Sequence, residues 1–471
     1  MTFIDDAHIV AGTLEAYRRD SLSRTKPVLN QPPMAELANA LRLEDRVRTG
    51  GLSGAKLQGF LDKYLDASTR LHDPRFLAHQ VAVPHYAGAL GALIDGFTNN
   101  PMSIYEMGPG AATVEYFMVN WLLEQVGWQP MPWKPGGAGA ADHGGGVLTH
   151  GGSLANVTGL VAARSRLAPQ VWKEGNPPDL ALLAPELSHY SIARGAGILG
   201  IGTDAIYDLP VDADGRVIPD RLPAVYQRLR SDGKRAVALV ANACSTAVGL
   251  YDPLEEIAAF CREQGLWLHV DGAHGACALV SEKHRHLMRG VELADSLVWD
   301  AHKMLRTPTV CAAVLVRDAR MLDGAFQQEA SYIFHDKEQP GFDFIQRQVE
   351  CTKAGLGLRL FLALAALGET GMAAYVDRQF QVTQEAYEYL RGLQDVECPV
   401  RPQANILCFR VPGDDERQIA VRDALIAKGS HYLSTTAFGG RRYLRAVFMN
   451  PETTLADIEA LVREIRGLDV A

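Results

Sequence analysis

Residues 266–274 read Leu266-Trp267-Leu268-His269-Val270-Asp271-Gly272-Ala273-His274, and residues 295–304 read Asp295-Ser296-Leu297-Val298-Trp299-Asp300-Ala301-His302-Lys303-Met304. Each is a short apolar run that stops at a carboxylate. An apolar run without alternation is a strand buried on both faces, which needs helices above and below it. Similar runs recur at 147–149, 180–183, 236–240 and 310–316, and helical patterns at 153–167 and 253–264 lie between them. Strands alternating with helices predict an α/β fold: a large domain with a mostly parallel sheet flanked by helices. Upstream, Pro27, Pro32 and Pro33 punctuate a helical segment. Downstream, 354–395 reads as one or two long helices, and strand-like 406–411 and 443–448 precede a helix from Thr454. The expected organisation is a helical N-terminal segment over 1–72, a large α/β domain over 73–370 and a small C-terminal α+β domain over 371–471.

Composition narrows the function. The 471 residues are 47% hydrophobic and 21% charged, with a net charge of −9. High apolar content and moderate charge exclude a disordered chain, and the acidic balance argues against nucleic acid or an anionic membrane as partner. Seven cysteines with no CxxC pair fit a reducing compartment and no structural zinc. Met1 to Val10 lacks the basic and apolar regions of a signal peptide. The longest apolar stretch, Leu360 to Leu367, is too short to span a bilayer. The expectation is a cytoplasmic protein with no membrane partner.

In open α/β sheets, ligands bind at the carboxyl ends of strands, and four features sit there. Gly151-Gly152-Ser153 follows the run ending at Thr149 and opens a helix, whose free N–H groups suit a phosphate; a plain serine cap has the same spelling. Asp271 closes one strand. Lys303 follows the next, 303 − 271 = 32 residues on; a lysine among apolar neighbours becomes a nucleophile for carbonyls. His189 lies in Ser188-His189-Tyr190-Ser191. Singly, each is readily structural. Together, a phosphate cradle, a carboxylate, a lysine and an aromatic platform are what pyridoxal 5′-phosphate needs: the lysine for its aldehyde, the carboxylate for its ring nitrogen, the imidazole for its ring face. Gly200-Ile201-Gly202 spells a dinucleotide fingerprint but follows no clear strand, and His269, Asp271 and His274 as metal ligands compete with the cofactor for Asp271, so no metal is expected.

From about Asp73 onward the chain resembles the group II pyridoxal-phosphate decarboxylases, which act on glutamate, cysteine sulfinate, diaminobutyrate or aromatic amino acids. The motifs that carry this are His269-Val-Asp271-Gly-Ala273-His, Asp295 to Met304, Gly-Gly-Ser153-Leu-Ala-Asn156, Leu187-Ser-His189-Tyr-Ser, Pro74-Arg-Phe, Tyr105-Glu-Met-Gly-Pro109 and Tyr443-Leu-Arg445. The resemblance implies fold type I, an obligate homodimer with shared active sites, and a dimerisation role for 1–72. It makes Lys303 the Schiff-base lysine, Asp271 the pyridinium partner and His189 the stacking residue. Gly152, Ser153, Asp300 and His302 would surround the phosphate, and Thr246 and Ala273 would line the ring. The implied reaction is decarboxylation of an L-amino acid to the amine.

For the substrate, Phe76 to Val81 aligns with a lining stretch of the family, where His79 and Gln80 replace the aromatics of aromatic-substrate members; Arg445 is suited to a carboxylate. The expectation is a small polar or acidic amino acid. The segment 331–353 resembles the family's mobile catalytic loop, on which most members carry a tyrosine that protonates Cα. Counting back from Cys351-Thr-Lys353, that position is Phe344, or Phe342 with another gap, and neither has a hydroxyl. Tyr332, His335, His189 or water could supply the proton instead. Otherwise dioxygen would intercept the reaction, giving decarboxylation-dependent oxidative deamination to an aldehyde.

Overall fold

The computed structural model describes residues 2–133, 142–326 and 341–469. Tyr332 and His335 lie outside the described residues. Two compact units form: Met1–Val83 with Gln381–Arg401 and Asn405–Ala471, and Pro84–Phe380 with Pro402–Ala404.

The second unit holds a seven-stranded sheet in the order β1-β7-β6-β5-β4-β2-β3. Its strands are β1 (Gly145–Thr149), β2 (Leu180–Pro185), β3 (Ile206–Leu209), β4 (Arg235–Asn242), β5 (Leu268–Asp271), β6 (Ser296–Trp299) and β7 (Ala312–Val316). All pairs from β3 through β6 are parallel. β7 is antiparallel to both β6 and β1, so β1 runs in the direction of β4, β5 and β6. The carboxyl ends of five strands, at Thr149, Pro185, Asn242, Asp271 and Trp299, therefore share one edge of the sheet. The helix Gly152–Leu167 covers one face, packing Val157, Leu160 and Val161 on Leu182, Val237, Val240 and Trp267. Burying each such side chain is worth about 1.5–3 kcal/mol.

β1, β2 and β4 run one to two residues beyond the expected stretches, and other strands depart further. β5 begins at Leu268 and includes Asp271 as its last residue. β7 begins at Ala312, after Val310. β3 was not expected: it is an edge strand on which only Leu209 is buried, so it lacks an apolar run. The glycines of Gly200-Ile201-Gly202 precede that edge strand and follow the helix Ser191–Ile198, the wrong order for a dinucleotide turn.

The first unit carries a three-stranded antiparallel sheet, β8 (Ile406–Phe409), β10 (Arg441–Val447) and β9 (Ser434–Phe438), in the order β8-β10-β9. β9 reads Ser-Thr-Thr-Ala-Phe and buries no residue, which is why no apolar signal marks it. Leu407, Phe409, Leu444 and Phe448 pack with Ile458, Leu461 and Val462 of the helix Leu455–Arg466, and Leu77 joins that core. Leu77 N–H donates to the Tyr432 carbonyl at 2.7 Å, which ties 76–80 to this sheet and groups the first 83 residues with the C-terminal stretches.

Leu356–Arg391 is one helical run broken at Gly368, whose φ of +69° is left-handed. By length and apolar content alone the run is sufficient to cross a membrane. Its Leu360, Ala363, Leu364, Met372, Tyr375 and Val376 are buried in this chain, a stripe at helical spacing. Just before it, Lys353 Nζ lies 2.8 Å from Glu115 Oε1, both side chains fully buried. Glu115 also accepts from Leu148 N–H at 3.2 Å and Gly357 N–H at 3.3 Å, so this pair joins β1, the helix Pro109–Val126 and the start of the long run. Removing one partner leaves the other charge buried and uncompensated. Lys353→Met is therefore expected to destabilise the chain by about 3–5 kcal/mol in denaturant unfolding, with part of the loss recovered in Lys353→Met/Glu115→Gln; a Lys353→Met variant as stable as the parent would contradict this.

Candidate active site

The shared strand edge is built first by a glycine. Gly151, at φ +103°, caps the helix Gly152–Leu167 with no side-chain bond, so Ser153 is the second residue of the helix and not its cap. A Cβ on Gly152 would sit 2.6 Å from both carboxylate oxygens of Asp300. Only a residue without a side chain lets the loop after β6 bring Asp300 against the first turn of this helix. Among the described residues, Asp300 Oδ1 is buried without a hydrogen-bond partner, as is Ser188 Oγ on the loop after β2.

Lys303 and His302 follow on that loop. Lys303 Nζ lies 3.0 Å from Asp300 Oδ2, and its side chain is 16% exposed. His302 Nε2 is 3.7 Å from the same oxygen, while its Nδ1 is 2.8 Å from the Cys311 carbonyl. Lys303 N–H donates to the Asp300 carbonyl and Asp300 N–H to the Ala273 carbonyl, so the loops after β5 and β6 are stitched together.

Asp271 ends β5 beside them. Its Oδ1 accepts from Ala273 N–H at 3.2 Å and its Oδ2 from Asn156 Nδ2 at 3.1 Å. Asn156 Nδ2 also reaches Ser191 Oγ at 2.9 Å, and Ser191 Oγ is 2.7 Å from His189 Nδ1. On its other side, Asn156 Oδ1 is 2.9 Å from His269 Nε2, and His269 Nδ1 is 2.7 Å from Ser296 Oγ. Burial pushes the His269 imidazole down to about 4, with Asp271 acting the other way. Burial lowers His189 too, again opposed by Asp271. Asn156, Ser191, Ser296 and His269 are the residues that sequence reasoning left without a role. Asn156 carried a signal, a poor helix former inside an apolar helix.

The structure thus brings together Gly152, Asp300, His302 and Lys303, and links Asp271 to His189. Ala273 lies on the same loops, and Thr246 follows the carboxyl end of β4 at Asn242. In the first unit, His79 Nε2 is 3.0 Å from Tyr432 Oη, Gln80 Nε2 is buried without a partner among the described residues, and the buried Arg445 donates to the Ala78 carbonyl and Ser434 Oγ at 3.4 and 3.5 Å. Phe344 is fully buried, its ring 4.7 Å from Phe342, which packs on Tyr116 at 5.1 Å. The end of the loop is tied down: Asp343 Oδ1 accepts from Tyr105 N–H at 2.8 Å, and Glu350 Oε1 is 2.7 Å from His150 Nδ1.

These residues fit pyridoxal phosphate. A nearly buried amine, a hydrogen-bonded carboxylate and an imidazole lie on one sheet edge. The backbone N–H groups at the start of the helix Gly152–Leu167 are donors of the kind that stabilise a phosphate, and among the described residues the Ser188 hydroxyl is a buried polar group with no partner.

Residues 63–412 match the family described as "Pyridoxal-dependent decarboxylase conserved domain". The chain is 28% identical over 459 residues to acidic amino acid decarboxylase GADL1 of Mus musculus, covering 93% of this chain and 80% of that protein. It is 29% identical over 454 residues to cysteine sulfinic acid decarboxylase of Rattus norvegicus, covering 92% and 89%. The crystal structure of mouse CSAD superposes with a TM-score of 0.88 at 26% identity over 100% of both chains.

The buried His269 has a consequence for stability. Its folded value, about 4, lies below its ordinary value of 6.5, so the unfolded chain binds more protons between those limits. Stability from this group is complete above about 6.5 and is lost as pH falls toward 4, on the order of 3 kcal/mol in all. Tm measured from pH 7 to pH 4 should fall less steeply in His269→Gln than in the parent; parallel curves would contradict this.

Proposed function

Because the chain belongs to the pyridoxal-dependent decarboxylase family, we propose that it removes the α-carboxylate of a small acidic amino acid and releases the amine. At the coarser level it is a pyridoxal-phosphate-dependent amino-acid decarboxylase, a carbon–carbon lyase. The observation that carries the assignment of its centre is the single sheet edge on which Lys303, Asp300, Asp271 and His189 meet. Lys303 would hold the cofactor's aldehyde carbon, with Asp300 keeping its amine in place beforehand. Asp271 would face the ring nitrogen, its charge held by Asn156 Nδ2–H. His189 would lie on the ring face, and Thr246 and Ala273 would line the ring. Gly152, Ser153 and His302 would surround the phosphate with Asp300. When bound, the cofactor supplies an electron sink for the pair released as carbon dioxide leaves.

Two observations support an acidic substrate. The relatives named above are decarboxylases of acidic amino acids and of cysteine sulfinate. Arg445 is a buried guanidinium, and a guanidinium recognises a carboxylate or sulfinate with paired donors. A homodimer is supported by the helix Tyr86–Thr98, which exposes Tyr86, Leu90, Leu93, Ile94 and Phe97 along one stripe. Such a stripe on a soluble chain marks an association surface.

A second reading keeps the centre and changes the product. It is favoured by the phenyl rings at 342 and 344, which bring no hydroxyl to the loop. Amino acid, dioxygen and water would then give aldehyde, carbon dioxide, ammonia and hydrogen peroxide.

Lys303→Ala should lose both turnover and the visible absorbance of the bound cofactor; a variant that keeps either contradicts the assignment. Aspartate, glutamate or cysteine sulfinate should be consumed far faster than L-tyrosine or L-tryptophan, and the reverse order would overturn the acidic reading. Product stoichiometry in air decides between outcomes: amine equal to carbon dioxide without peroxide supports simple decarboxylation, and peroxide equal to aldehyde supports the oxidative route.

A further inference from the structure

Buried beneath the centre is a hydrogen-bonded chain whose direction can be worked out by counting donors. Trp267 Nε1–H lies 2.8 Å from Ser296 Oγ, and an indole N–H can only donate. Ser296 Oγ therefore accepts, and its own hydrogen is left for His269 Nδ1 at 2.7 Å. A neutral imidazole that accepts at Nδ1 carries its proton on Nε2, which donates to Asn156 Oδ1 at 2.9 Å. That orients the amide, and its two Nδ2 hydrogens go to Asp271 Oδ2 and Ser191 Oγ. Ser191 Oγ then has its hydrogen free for His189 Nδ1, which also receives Ser191 N–H at 3.2 Å. The far end agrees independently: an ionised Asp271 can only accept, so Asn156 must present its nitrogen there. With the Asp271 end orienting Asn156 and the His269 imidazole neutral, one arrangement of hydrogens fits the chain.

We propose that His269 is a positioning residue which, backed by Trp267 and Ser296, locks the Asn156 amide so that one N–H holds Asp271 and the other, through Ser191, holds His189 with its proton on Nε2. The inference rests on the reading of Asp271 and His189 as the groups that meet the cofactor. The fold makes room for this ring: a Cβ on Gly159 would lie 2.7 Å from His269 Cε1, so the helix Gly152–Leu167 gives up a side chain where the imidazole passes. His269, Asn156, Ser191 and Ser296 are all essentially without solvent exposure, so water does not substitute for a missing link. Burial also keeps both imidazoles neutral at neutral pH, as the counting requires.

The test compares His269→Leu with His269→Gln, whose amide retains one donor and one acceptor, in protein reconstituted with pyridoxal phosphate. The readouts are the dissociation constant of pyridoxal phosphate, the wavelength of its bound absorbance band, and kcat and KM, with Tm and circular dichroism as controls. His269→Leu is expected to weaken cofactor binding and lower kcat by about ten-fold or more, the scale of a hydrogen bond to a charged group. KM should stay within about three-fold of the parent, because the substrate is not touched. His269→Gln is expected to recover most of both losses and the parental band. Equal behaviour of Leu and Gln, or parental values in Leu, would overturn the proposal. If His269→Leu does not fold, Ser296→Ala against Ser296→Thr decides by the same readouts, since threonine keeps the hydroxyl and alanine removes it; equal losses in those two overturn it. Failure of the underlying reading has a different signature: the parent chain, or Asp271→Asn relative to it, shows no difference in cofactor binding or spectrum.

Discussion

The close approach of the helix Gly152–Leu167 to the carboxyl edge of the sheet governs the centre. Two glycines on that helix make it possible. At Gly152 the missing side chain admits the carboxylate of Asp300, and at Gly159 it admits the ring of His269. Asp300 in turn holds the amine of Lys303, and His269 holds Asn156, which reaches Asp271. A side chain at either glycine would push the helix outward, and packed interiors absorb such displacements poorly. The helix is anchored on its other residues by Val157, Leu160 and Val161 in the core, so the apolar packing and the polar centre depend on the same few contacts.

The centre has two tiers. In the proposed reading the upper one would face the cofactor, with Lys303 for the aldehyde, Asp271 for the ring nitrogen and His189 for the ring face. The lower one is the chain from Trp267 to Ser191, which touches nothing that reacts. Buried polar networks are costly unless fully satisfied, and here the nitrogens of His269 and the three polar links of Asn156 are all met by named partners. A network satisfied in only one direction gives a rigid support for groups whose orientation matters. The loop end at 341–353 is held by different means, through Tyr105, Ser103 and the buried Glu115–Lys353 pair.

Membership of the decarboxylase family accounts for the cofactor and the class of reaction, and leaves this chain's own departures to be explained. Phe344, or Phe342 with another gap, stands where a loop tyrosine was expected, and the two rings pack on each other. Product analysis, not the fold, decides what that means for the released compound. Arg445 and His79 lie in the other unit, each with partners of its own around Tyr432 and Ser434.

Much of this was legible in the residues taken in order. The apolar runs ending at Thr149, Asp271 and Trp299 marked buried strands, because a strand covered on both faces has no polar alternation to hide it. The same rule explains the misses: β3 and β9 lie at sheet edges, bury little, and carry no apolar run. Lys303, Asp271, His189 and Gly152 were found because strand ends in such sheets are where ligands bind. Tertiary structure alone decided what stands behind them. Asn156 and Asp271 are 115 residues apart in the chain, and Asn156 and His269 are 113 apart. Hydrogen bonds between residues so separated leave no periodic trace, since each depends on how a helix is rotated over a sheet and on a glycine that lets it come near. The sequence by itself determined the elements, their order and the chemistry at their ends; which buried atoms meet, and in which direction their hydrogens point, follows only from packing.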